Sequence, residues 1–207
     1  MQSLARIRGW LVAAAILALP AAALEVLPVS ASTRPPQPWP EGVVRYFDAS
    51  GMERTVGTAA ARWNASGARV DVRRVHDRED ADVVFEVDDP RLRDTCGNDC
   101  LGYSTTIGKP GDGPATVLLS GELGGNPRSL SVWVAAHELG HVLGLRHRGG
   151  RICSLMSEHA FDSACSPSLA PEQPTLDELA CLPAPADVTV AVRIYGGQRA
   201  APDPRCR

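Results

Sequence analysis

The stretch Ala135 to His147, AAHELGHVLGLRH, places three of the chain's five histidines within eleven residues and sets Glu138 beside the first of them. On a helix, His137 and His141 project from one face, close enough for both imidazoles to reach a single metal ion at ~2.0–2.1 Å. His147 cannot join them if the helix continues, because six further residues turn it about 120° off that face and carry it ~9 Å along the axis. The helix must therefore stop. Gly144 stands where a left-handed turn would end it, since glycine alone takes positive φ without steric cost, and the reversed chain can return His147 to the metal.

Three neutral imidazoles around Zn2+ leave a fourth position for water, the arrangement of a catalytic rather than a structural site. Zinc lowers the pKa of that water toward ~7, and Glu138, one residue from the first ligand, points beside the metal, where a general base acting on the bound water must stand. The expected reaction is hydrolysis of a peptide bond with no covalent intermediate. If the same polar residues had fallen in an apolar helix by chance, they would be buried without partners at a cost of several kcal/mol. A metal supplies the partner.

Outward from this stretch, Ser129 or Ser131 can cap a helix that runs through Val132, Trp133, Val134, Leu139, Val142 and Leu143, apolar nearly all round and hence buried. Upstream, Glu41 to Phe47, Val70 to Val75, Ala81 to Val87 and Ala115 to Ser120 carry the β-branched, apolar composition of strands. Thr55 to Asn64 has helix-forming alanines with Gly67 as a stop. His76, in the charged turn His76 to Asp80, reads as a solvated loop residue. Thr95 to Pro114 reads as a long loop pinned by Cys96 and Cys100 and interrupted by Leu101 to Thr105. Downstream, Pro174 to Cys181 predicts a short helix, and the alternation Val188, Val190, Val192, Ile194 predicts an added strand. The order of elements is an α+β pattern.

The string HELGHVLGLRH fits the HExxHxxGxxH motif of the metzincin metallopeptidases, and Cys153-Ser-Leu-Met156-Ser resembles the methionine turn that follows the third ligand in that family. The resemblance covers Thr116 to Met156. It implies a metzincin-like zincin fold: a twisted mixed sheet and active-site helix in an upper subdomain from Trp39 to Leu143, and a small disulfide-tied lower subdomain. By the same resemblance His137, His141 and His147 are the zinc ligands, Glu138 is the general base, and Met156 is a hydrophobic floor under the metal. The strand Ala115 to Ser120 is then the edge that pairs with extended substrate. The early Trp39-Pro-Glu strand and the helix around Trp63 look like the start of a matrixin catalytic domain. The cysteines flanking the turn resemble snapalysin, whose third ligand is an aspartate where His147 stands here. Tyr103 is read as a packed tyrosine and His159 as a solvated loop histidine rather than as oxyanion-binding groups. No matrixin-like region for structural Ca2+ is found, since Gly111-Asp-Gly113 is merely turn-like, so calcium stays open. No cysteine-switch motif lies upstream; Pro204-Arg-Cys206 echoes one, but a disulfide is the expected use of Cys206.

Arg6 and Arg8 precede an apolar run from Trp10 to Leu19 that ends in Ala21-Ala22-Ala23. This reads as a secretory signal peptide over residues 1–23, with cleavage as late as Ala31, because Pro20 and Glu25 leave the run short of a membrane span. Residues 24–38 form a proline-rich lead-in, and residues 39–207 the catalytic domain. Removing Arg6 and Arg8 shifts the net charge from −3 to −5, which argues against a nucleic-acid partner or an anionic membrane surface. Six cysteines in an exported chain fit three disulfides between nearest neighbours. The expected product is a secreted, soluble, monomeric zinc endopeptidase acting on protein or peptide substrates. The alternatives are a zinc aminopeptidase or other amidohydrolase, and a silent binding module that retains the metal.

Overall fold

A computed structural model describes residues 36–124, 129–148, 154–158 and 183–201. The leader, the helix expected over Pro174 to Cys181, His159, and the cysteines at 153, 165, 181 and 206 lie outside the described residues. The elements are β1 (Val43–Asp48), α1 (Glu53–Asn64), β2 (Asp71–Arg74), β3 (Val83–Val87), α2 (Asp89–Cys96), β4 (Gly102–Ser104), β5 (Ala115–Leu119), α3 (Ser129–Val142) and α4 (Pro185–Tyr195). The strands form one twisted sheet of order β2-β1-β3-β5-β4, parallel except for β4, which runs antiparallel to β5 with Gly102 opposite Leu119. This is the expected mixed α+β fold.

Alternation along the strands sorts side chains onto two faces. Val83 and Phe85 of β3, with Ala115, Val117 and Leu119 of β5, join one continuous core with α1 and α3. The neighbours between them, Val84 and Leu118, are buried on the opposite face, where α2 brings Leu92 against β5. At the centre of the main core, the Trp63 indole of α1 is fully buried and donates its Nε1–H to the carbonyl of Ala136 in α3 at 2.8 Å. Burying roughly 150–250 Å² of indole is worth on the order of 4–6 kcal/mol at ~25 cal/mol per Å². The bond adds about 1 kcal/mol. Burial therefore holds the two helices together, and the bond sets their register.

The long helix behaves as its composition predicts, with Ser131 to Gly140 all buried. Ser131 lies inside α3 rather than capping it, and Ser129 is the first helical residue. Three other readings need correction. Ala115 to Ser120 is not the sheet edge: β5 is flanked on both sides, and the edge is β4, hidden in the Gly/Thr-rich stretch around Tyr103. The helix α2 was not anticipated. It starts at Asp88, whose carboxylate accepts from Arg91 N at 3.1 Å, with Pro90 in its first turn, and ends at Gly97 with φ 97°.

The third correction concerns the C-terminus. Val188 to Ile194 is helical, not a strand. Pro185 stands at the first helical position, Asp187 accepts from Ala184 N at 3.1 Å, and Asp187, Val188 and Ala191 form a buried face at helical spacing. The valine alternation mimics a strand because Val190 and Val192 fall on the flanks of that face, half-buried. After α4 the chain pairs briefly with the loop after α1, Ala68 opposite Gly197, with Gln198 N donating to Gly67 O at 3.0 Å. Thr189 is exposed on α4 and its hydroxyl bonds back to Pro185 O. Thr189→Ala should therefore raise stability by about 0.5 kcal/mol in urea unfolding, since alanine is the better helix former. A loss of that size, the expected result in a strand, would contradict the helix.

Candidate metal centre and active-site cleft

The last four carbonyls of a helix have no partner within it. In α3 all four are satisfied, each from a different part of the chain or turn. Leu145 N donates to Gly140 O at 2.9 Å, and both Gly144 N and Gly108 N donate to His141 O at 2.8 Å. The Trp39 indole N–H reaches Val142 O at 2.7 Å, and the Tyr195 hydroxyl reaches Leu143 O at 3.0 Å. The first two bonds with Gly144 at φ 90° make the glycine-terminated helix end expected from the sequence. A Cβ on Gly144 would have room, its nearest contact being Pro36 Cβ at 3.5 Å, so the glycine is there for its backbone and not for space.

The reversal returns His147 to the other two histidines. Its Nε2 lies 3.1 Å from His137 Nε2 and 3.0 Å from His141 Nε2. Among the described residues these three are the group arranged to hold a metal ion. Two nitrogens at ~2.0–2.1 Å from a tetrahedral zinc stand about 3.3 Å apart, so the triad fits the ion with small adjustment. The other ring nitrogens are spoken for. His137 Nδ1 donates to Leu155 O at 2.7 Å and His141 Nδ1 to Leu145 O at 2.9 Å, which turns both Nε2 lone pairs inward. Facing lone pairs repel unless a proton or cation lies between them, and one cation serves all three.

Burial, and next the neighbouring imidazole His141, pull the pKa of His137 down to about 3. Burial likewise takes His141 to about 4. His147 is more open, with its Nδ1 3.5 Å from Glu158 Oε1. Glu138 is 5% exposed, and burial pushes its pKa up to about 8 against a hydrogen bond from the backbone of Ser104. One carboxylate oxygen, Oε2, has no hydrogen-bond partner among the described residues.

Two glycines keep the site compact. A Cβ on Gly102 would come within 2.6 Å of Val134 Cγ1 and 2.8 Å of Glu138 Oε1, so only glycine lets the edge strand β4 lie this close to α3. Gly140 leaves room for the sulfur of Met156, which is fully buried. Met156 thus sits under α3 between the two histidine turns, where the methionine turn was expected. The Trp133 ring stacks on His137 at 4.9 Å. A cleft of about 920 Å³ runs past these groups, walled by the segment Leu101 to Ile107, Trp133 and Arg146. Tyr103 lines that cleft and is 36% exposed, so it is not the packed residue expected. His76 is exposed in its loop, as read. The disulfide Cys96–Cys100, an expected nearest-neighbour pair, closes the cleft's rim.

Residues 43–148, just over half of the chain, match the family described as metallo-peptidase family M12B, reprolysin-like. The chain belongs to this family. It is a metzincin-type zinc metallopeptidase. No curated protein is similar enough to the chain to count as a relative.

The depressed histidines give the metal-free protein a pH dependence of definite sign. In the unfolded chain His137 and His141 take protons near pH ~6.5, whereas folded they resist to about 3 and 4. Unfolding therefore takes up as many as two protons, and stability present above pH ~6.5 is lost as the pH falls toward 4. The unfolding midpoint of metal-free protein should drop across that range and drop less in the His137→Gln/His141→Gln double variant. Glu138→Gln carries the opposite sign: it removes a carboxyl whose raised pKa costs stability as the pH rises from ~4.5 toward 8. An identical pH profile in all three proteins would contradict the burial of these groups.

Proposed function

We propose that the chain is an exported, zinc-dependent endopeptidase in which His137, His141 and His147 hold the metal and Glu138 is the general base. The observation that carries this reading is the convergence of three imidazole Nε2 atoms, two of them turned inward by backbone carbonyls, beside a buried carboxylate oxygen with no hydrogen-bond partner among the described residues. A zinc ion held there supplies Lewis acidity, polarising the scissile carbonyl and lowering the pKa of a nearby water. Glu138 Oε2 accepts the proton of the attacking water. The carboxyl, toward which the Ser104 backbone N–H is directed, then delivers that proton to the leaving amine.

Substrate binding follows from the edge strand. Leu101 O accepts from Ser120 N and Thr105 N donates to Thr116 O, so alternate residues face β5 and the intervening Gly102 and Ser104 face outward. Ser104 N is already directed at Glu138. An extended peptide adding to β4 makes main-chain hydrogen bonds with little sequence demand. That role moves from Ala115 to Ser120, where sequence put it, to Gly102–Ser104. The length of cleft wall from Leu101 to Ile107 supports an endopeptidase over an enzyme confined to chain ends. Export is supported by the basic and apolar leader and by the Cys96–Cys100 disulfide, which persists in oxidising compartments. Among the described residues, no helix is long and apolar enough to cross a membrane.

The test is hydrolysis of casein and of end-blocked peptides by zinc-loaded protein lacking residues 1–31, beside Glu138→Ala. The variant should keep its zinc and lose about 10²–10⁴-fold in kcat/KM. Undiminished activity in Glu138→Ala would remove it as the base. Cleavage restricted to free amino termini would make the enzyme an aminopeptidase, and no cleavage by zinc-loaded parent would make it a binding module.

A further inference from the structure

We infer that Asp187, on α4 and far in sequence from the histidine motif, positions the first metal ligand through the Ser154 hydroxyl and one peptide group and strengthens its hold on the metal. Asp187 is fully buried. Its carboxylate accepts from Ser154 Oγ at 2.5 Å, Leu155 N at 2.7 Å and Ala184 N at 3.1 Å, and the same Ser154 hydroxyl accepts from Met156 N at 3.0 Å. Met156 N–H and Leu155 C=O are the two ends of one peptide unit. The carbonyl end accepts the Nδ1–H of His137 at 2.7 Å. A carboxylate therefore pulls, through the Ser154 hydroxyl, on one end of a peptide dipole, and a metal-binding imidazole donates to the other.

Hydrogen bonds in series polarise one another, so a Ser154 hydroxyl that donates to the carboxylate accepts more strongly from Met156 N–H, and Leu155 O becomes a stronger acceptor in turn. That draws the Nδ1 proton of His137 toward the carbonyl and leaves Nε2 more basic, as a carboxylate in direct contact with a ligand histidine does. Here the Ser154 hydroxyl and one peptide group stand between the two. The same anchor reaches the third ligand's side of the site. Arg148 N, one residue past His147, donates to Met156 O at 2.9 Å, and its guanidinium donates to Ala186 O at 3.0 Å. A helix cap alone would require only the bond from Ala184 N. The remaining donors all come from the turn beneath the metal triad.

The inference rests on the zinc site proposed above, and the experiment separates the two. Zinc affinity by competition with a chelator, the visible spectrum of cobalt-substituted protein, and kcat and KM are measured for the parent, Asp187→Asn and Val188→Ala. Val188 is buried one residue away on the same helix and touches none of these bonds, so its variant reports simple loss of stability. Asp187→Asn keeps the shape and removes the charge. It should weaken zinc binding 10–100-fold, shift the cobalt spectrum and lower kcat with KM within about twofold. Val188→Ala should lose stability and change none of these. Asp187→Asn that matches Val188→Ala in zinc affinity, spectrum and kcat overturns the inference. If Asp187→Asn does not fold, Ser154→Ala removes one donor to the carboxylate and should weaken zinc several-fold; unchanged affinity in a folded Ser154→Ala protein overturns the inference equally. A parent that binds no zinc at all overturns the metal site itself.

Discussion

The structure depends on one helix stopping at the right residue. α3 has to be long enough to set His137 and His141 on one face and then break within three residues, because a continued helix would carry His147 away from the metal. The break exposes backbone carbonyls in the middle of the molecule, and each must find a donor or cost the free energy of an unsatisfied buried group. The rest of the fold supplies those donors. Trp39 comes from the segment before β1, Gly108 from the loop after the edge strand, Tyr195 from the end of α4, and the turn itself closes on Gly140 and His141. Distant parts of the chain are in this way committed to one helix end.

A second consequence is that two of the three histidines grouped to hold a metal are oriented by backbone. His137 and His141 each give their Nδ1 proton to a main-chain carbonyl, Leu155 O and Leu145 O. A carbonyl orients a ring only as firmly as its own peptide is held. Leu145 is held by the helix end, and Leu155 by the turn under the site, which packs Met156 against Gly140 and is bonded to Asp187. Rigid placement of a polar cluster in an apolar interior is what makes the site able to act: Glu138 sits where burial raises its proton affinity, and only glycine at 102 lets the edge strand close over it.

The chemistry of this protein was more legible in the sequence than its periphery. The histidine spacing, the glutamate beside the first ligand and Gly144 obey local rules, since helix periodicity and glycine stereochemistry act within a dozen residues. The strands around Val44, Val72 and Phe85 and the helix at Trp63 were legible for the same reason. What failed depended on contacts between distant segments. The valine alternation after Pro185 satisfies a strand pattern as well as a helix flank, and the choice is made by Asp187 turning inward to Ser154 and Leu155, a contact invisible to a local window. The edge strand at Tyr103 is three residues long, begins with glycine and is followed by two threonines. It is a strand because β5 and α3 are already there to receive it. Asp187 itself carried no signal in the sequence beyond an acid near a proline.

The most direct measurement is the zinc K-edge absorption fine structure of the metal-loaded protein beside that of His147→Gln. Three imidazole nitrogens at ~2.0–2.1 Å in the parent, falling to two in the variant, are the result expected if the helix stops at Gly144 to deliver the third ligand. A parent spectrum with two imidazoles, unchanged by His147→Gln, would contradict it.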